Sequence, residues 1–194
     1  MPAELSWNTP NWLSGLRYAL RILVLVLSGA VTYFLLHTLE AYRGNSSLDL
    51  RKGELPMVWP ARTHLAPTIV LFSVAAANFL TSVAILTLSL KSPFRRLYQK
   101  RDDYRVIAGG CRIILWTTAL AVFTLLDRAS NASLGHYACA NRDVESNGRF
   151  QYRTICSEQS IAFYLAVGVA SVEVLSLLVS SSPPSISPKP DQAR

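Results

Sequence analysis

Residues 65–90 read LAPTIVLFSVAAANFLTSVAILTLSL, a run without a single Asp, Glu, Lys, Arg or His. The hydrocarbon core of a bilayer is about 30 Å thick, and about 20 apolar residues in a helix cross it. The stretch is long enough to span, and almost every side chain in it is compatible with lipid. Three more stretches share its character: 18–37, which holds the Leu/Val run Leu23 to Leu27, then 106–126 and 161–180. The charges lie almost entirely between them. The four stretches lack the continuous polar stripe at period 3.6 that helices of a water-soluble bundle would carry. All four exceed the apolar core of a signal peptide, and the first has no small-residue cleavage site before the next polar stretch, so it is read as a retained span.

Composition agrees. Hydrophobic residues make up 51% of the 194 and charged residues 16%, against about 25% charged in a soluble domain. Disordered, collagen-like, coiled-coil and disulfide-dense classes are excluded on the same grounds. The expected fold is all-α: a four-transmembrane-helix bundle with both termini cytoplasmic. Its parts are an interfacial N-terminal segment at 1–17 with Trp7 and Trp12, a membrane domain at 18–180, and a disordered cytoplasmic tail at 181–194. That tail carries Pro183, Pro184, Pro188 and Pro190 among serines. Indole rings favour the head-group level, and Pro/Ser tracts do not build a core.

Orientation follows from Lys and Arg in the connections. Lys91, Arg95, Arg96, Lys100, Arg101 and Arg105 crowd the short link between the second and third spans. The two other loops hold four cations each over about twice the length. With the link cytosolic, ten cations face four anions on the inner side, and eight face seven on the outer. The net charge of +7 therefore belongs to a membrane surface. Nucleic acid is not an expected partner. Arg95, Arg96, Lys100 and Arg101 form a candidate lipid-binding patch for anionic head groups, at about 1 kcal/mol per cation; fixing topology is the plainer role.

The outer side then receives Cys139 and Cys156, where a disulfide persists. It also receives two glycosylation sequons, Asn45-Ser46-Ser47 and Asn131-Ala132-Ser133. Cys111 falls in the third span as a small membrane residue. No cofactor or metal site is expected: the two cysteines lack a second ligand pair at zinc spacing. His37, His64 and His136 gather at the outer rim with Glu40, Asp127 and Glu158, where a metal or acid–base cluster is the alternative to simple solvation, the plainer reading.

Charges at membrane depth are costly and mark functional candidates. Arg112 lies six residues from the inner end of the third span and Glu173 seven from the inner end of the fourth. Both are about 9–11 Å deep, which suggests an ion pair between consecutive, antiparallel helices. Glu173 shares its side with Ala166 and Ala170, a face another helix can approach. Arg112 shares its side with Gly109, Trp116 and Ala119. Asn78 is placed near the midplane with Ala75, Thr81 and Ser82. Glu173, Arg112 and Asn78 are thus the catalytic candidates if the chain is an enzyme, and otherwise a polar core that fixes helix register.

The stretch CSEQSIAFYL (156–165), leading into a last span that contains Glu173, resembles fungal MARVEL-like four-span proteins, in which a cysteine-bearing outer loop precedes the final helix. That resemblance implies a four-helix bundle with cytoplasmic ends and a role in membrane organisation or trafficking. It covers the topology of the chain and residue detail at 139–173.

Two functions follow as expectations. The first is a multi-pass protein of the plasma membrane or endoplasmic reticulum that organises membrane or binds a membrane partner or a second copy of itself. The second is a small integral-membrane enzyme or accessory subunit, such as a cyclase, acting on a lipophilic metabolite in fungal secondary-metabolite biosynthesis.

Overall fold

Backbone amides in hydrocarbon have no water to bond, so a single crossing segment satisfies them internally as a helix. The computed structural model follows this rule. It describes residues 9–46, 63–90, 102–130, 132–142 and 152–181. Among these are five helices: α1 (Thr9–Ser46), α2 (Ala66–Leu90), α3 (Asp102–Ala129), α4 (Leu134–Ala140) and α5 (Tyr152–Ser181). All but α4 are long and apolar enough to cross a membrane, over Gly15–Gly44, Ala66–Leu88, Ile107–Ala129 and Tyr152–Val179. The chain is a multi-pass membrane protein.

The principal contacts pair α1 with α2, α2 with α3, α3 with α5, and α5 with α1, so the four spans form a closed ring. Arg17 near the start of α1 reaches Val179 near the end of α5, and His37 in α1 meets Glu158 near the start of α5. Those two helices are therefore antiparallel.

A repeating step of three and four residues places the inward face. On α5 the buried positions are Tyr152, Ile155, Gln159, Ala162, Ala166, Val169 and Glu173. On α1 they are Val24, Ser28, Val31, Leu35 and Thr38, and on α2 Leu71, Ala75, Asn78 and Ser82. This spacing averages 3.5 residues, the period of the seam in antiparallel, left-handed bundles. The stripe is rich in small and polar residues, because lipid solvates Leu as well as a neighbouring helix does, and close backbone approach drives association instead. Large apolar residues such as Leu80, Ile114, Leu125 and Tyr164 point outward.

Hydroxyls along the spans bond the carbonyl one turn back, as in Thr32 to Ser28, Thr38 to Phe34 and Ser73 to Ile69. This lets a hydroxyl sit in hydrocarbon without a partner helix. Thr81 does the same to Ala77 and is exposed. It therefore stands apart from the buried Asn78, Ala75 and Ser82, a correction to the shared face expected of all four.

The helices outrun the expected spans: α1 covers 9–46 where 18–37 was expected, and α5 begins at 152 where 161 was expected. The extra turns at the cysteine-bearing end pack. Tyr152, Ile155, Leu134 and Ala138 form a second buried cluster, joined by Ala41, Tyr42, Leu65 and Cys156. Hydropathy registers only the part that lipid solvates, so such an extension leaves no signal in it. The short helix α4 was likewise not expected. Ser133 caps it, its hydroxyl accepting from the His136 amide at 3.3 Å, and the disulfide Cys139–Cys156 ties it to α5 across a separation of 17 residues.

Candidate functional site

At the end of the bundle opposite the disulfide, all four spans contribute to one polar cluster. The inward stripe of α5 delivers Glu173, α3 delivers Arg112, α1 delivers Arg21, and α2 delivers Asn78 and Ser82. Arg112 Nη1 stands 3.7 Å from Glu173 Oε1. Glu173 is almost fully buried, while a quarter of the Arg112 side chain is exposed. Arg21 and Asn78 also lie close enough to act on the Glu173 charge. Glu173 Oε1 and both amide atoms of Asn78 are buried without a hydrogen-bond partner among the described residues.

Arg21, Ser82, Arg112, Glu173 and Ser176 line a cavity of about 60 Å³. That is room for a few waters, and far below the roughly 300–1,000 Å³ of a small-molecule site. Asn78 does not line it. Just beyond, Arg17 Nη2 donates to the Val179 carbonyl at 3.1 Å, meeting one of the acceptors that the end of α5 leaves unpaired.

The opposite rim is differently built. His37 Nδ1 lies 2.8 Å from Glu158 Oε1, and Thr38 Oγ1 donates to Glu158 Oε2 at 3.2 Å. Ser133 Oγ donates to Asp127 Oδ1 at 2.6 Å, and the His64 amide donates to the Ala132 carbonyl at 3.0 Å. The three histidines are thus spread over separate contacts. No group of three or more His, Cys, Asp or Glu among the described residues could hold a metal ion. Deeper in, Gln159 Nε2 donates to Thr68 Oγ1 at 3.2 Å, bridging α5 and α2. A groove of about 550 Å³ opens beside it, with Asp127, Arg128 and His136 on its polar side and Phe123, Phe163 and Tyr164 on its apolar side.

The catalytic candidates Glu173, Arg112 and Asn78 therefore share one cluster, and none of them borders the larger groove. Cys139 and Cys156 are joined. Cys111 is unpaired and exposed. Asn45 is in the last turn of α1, and its side chain lies outside the described residues, as do Asn131, Arg95, Arg96, Lys100 and Arg101. Sequence reasoning missed Gln159. It lies two heptads before Glu173, so extending the Glu173–Ala166 stripe outward finds it.

No curated protein and no solved structure matches the chain. A family model does match, over residues 14–182. That stretch holds all four spans, α4 and the disulfide, and the chain belongs to this family, described as a domain of unknown function (DUF8762).

Proposed function

We propose that the chain is a non-enzymatic membrane protein that works by lateral association, organising its membrane or holding a membrane partner or a second copy of itself. The observation that carries this reading is the size of the cavity around Glu173. Arg21, Arg112 and Glu173 converge from three helices on about 60 Å³, so the deep charges are spent on each other and on register, with no room for a lipophilic substrate. A buried charged pair of this kind specifies which helix surfaces meet, and adds little net stability.

The basic link faces the cytosol on this reading, and Asn45, Asn131 and the disulfide face away from it. The charge asymmetry supports that orientation. Arg95, Arg96, Lys100 and Arg101 then stand ready for anionic lipid or an acidic partner segment. The resemblance to MARVEL-like proteins points the same way.

The enzyme alternative is favoured by one observation, the groove of about 550 Å³, whose volume suits a substrate. Catalysis on a lipophilic metabolite would then fall to Asp127 and His136, which line that groove, and not to Glu173.

Deletion of the gene in its source organism, with untargeted metabolite profiling and imaging of membrane markers, separates the two. Altered marker distribution with an unchanged metabolite profile is expected. Accumulation of one small molecule, reversed by the wild-type gene and not by a folded His136→Ala variant, would establish catalysis instead.

A further inference from the structure

The cavity at the end opposite the disulfide is bordered by hydrogen-bond donors that the protein itself does not use. A guanidinium carries five N–H groups. The one polar contact of Arg112 among the described residues is its pair with Glu173, and at 3.7 Å that pair is beyond hydrogen-bond reach. Ser82 of α2 and Ser176 of α5 line the same cavity, and their hydroxyls make no hydrogen bond among the described residues. The outward-facing Ser73, Thr81, Thr117 and Ser171 behave otherwise, each bonding a carbonyl one turn back. A helical hydroxyl has that carbonyl within reach, so a serine that leaves it unused has its donor to offer elsewhere. Ser82 is only 8% exposed, and what remains open of it is the cavity side.

The wall is also unevenly charged. Arg21 and Arg112 border the cavity against a single carboxylate, Glu173. The Glu173 oxygen that faces Arg112, Oε1, is fully buried and so is closed to any occupant, while a quarter of the Arg112 side chain is exposed. Arg21 has a partner of its own and contributes charge to the wall, not donors. Cations at membrane depth are costly unless an opposite charge meets them.

We propose that this cavity binds one small inorganic anion, a halide, between the guanidinium of Arg112 and the hydroxyls of Ser82 and Ser176. Donors select an acceptor, which a metal cation is not, and the two guanidinium groups repel a cation besides. A water accepts as well, but brings no charge to set against them. Size narrows the choice further. The cavity measures about 60 Å³, space for a few waters, and a halide is little larger than a water. A phosphate-bearing lipid head group needs more room. The three donor residues stand on α2, α3 and α5, so a bound anion fastens three of the four spans to one another. An anion here is compatible with either reading of the bundle, because it fills a space too small for a substrate.

The full chain is purified in mild detergent and sodium gluconate, an anion too large for the cavity. Its melting temperature is then followed as chloride or bromide replaces gluconate at constant ionic strength. A saturable rise is expected, about 3–6 °C at a tenfold excess of halide over its half-saturating concentration. Ser82→Ala with Ser176→Ala removes both neutral donors and keeps the charges. It should raise the half-saturating concentration at least about tenfold. Glu173→Gln removes the negative charge from the wall and should lower that concentration, where a cavity holding only water predicts no change. Arg112→Leu with Glu173→Leu removes the guanidinium and should abolish the response to halide. If the serine variant fails to fold, Glu173→Gln decides alone. No response to halide, or one that follows ionic strength whatever the anion, overturns the proposal. So does a response that the serine variant keeps in full, or one that Glu173→Gln does not strengthen. Stabilisation by phosphatidylserine in gluconate, with none from halide, would overturn it in favour of a lipid phosphate.

Discussion

Replacing Arg112 and Glu173 by leucine, singly and together, tests whether the two charges act as a unit. Arg112→Leu strips the nearer cation from a carboxylate that is 5% exposed. Breaking a buried pair this way costs about 3–5 kcal/mol. The low end applies because Arg21 remains close to the carboxylate. Glu173→Leu leaves Arg112, whose side chain is 25% exposed and long enough to turn its head toward water, so about 1–2 kcal/mol is expected. The double variant removes both charges and should cost no more than Glu173→Leu alone, since apolar replacement of a whole buried pair is often neutral.

The expected coupling is therefore at least about 3 kcal/mol, well above the roughly 0.3–0.5 kcal/mol scatter of independent sites. Thermal unfolding in a mild detergent reads it. At about 2–4 °C per kcal/mol for a chain of this size, Arg112→Leu should melt about 6–12 °C below wild type, and the double variant above it. Costs that simply add in the double variant would refute the pairing. So would a Glu173→Leu protein as stable as Glu173→Gln, since the amide keeps a polar contact for Arg112 and leucine does not.

Three further outcomes are expected. Gly135→Ala should lower stability by about 1–3 kcal/mol, because its methyl group would push a buried amide off Thr68; Gly109→Ala meets only the end of Leu177, and its melting temperature should stay close to wild type. Reduction of Cys139–Cys156, or the double serine variant, should cost about 3 kcal/mol for a loop of this length, seen as a lower melting temperature that reductant does not change further in the variant. Arg17→Ala should speed hydrogen exchange of the amides at 177–181 while leaving those at 162–169 unchanged, since Arg17 holds the Val179 carbonyl at the end of α5.

The spans were legible because their signal is summed over some 20 residues each, and no single substitution erases it. The meeting of Arg112 and Glu173 was legible too, from equal depth on consecutive helices of opposite direction. Thr81 was not, because a hydroxyl in a helix has its own carbonyl to bond and so carries no information about which way it faces. The extensions of α1 and α5 and the presence of α4 were hidden for another reason. They are set by Tyr152, Leu134 and Ala138 packing on one another across the chain, and hydropathy read along a single segment is blind to that. Gln159 sits between: its position on the α5 stripe was readable, but its bond to Thr68 of α2 and its close approach to Gly135 of α4 were not, because both partners lie on other elements.

The four crossing segments are unequal in height. Gly15–Gly44 and Tyr152–Val179 have 30 and 28 residues, against 23 each in Ala66–Leu88 and Ile107–Ala129. At 1.5 Å per residue the first two stand about 42–45 Å tall and the others about 35 Å. The tall pair are neighbours in the ring, and at the cysteine-bearing end their extra length carries Glu40, Arg43, Arg153 and Glu158, side chains that hydrocarbon does not solvate. One flank of the bundle therefore rises above the apolar core as a two-helix wall, and the Cys139–Cys156 bridge fastens α4 to it. Whatever approaches this end from water meets a braced, polar shoulder before it meets the spans.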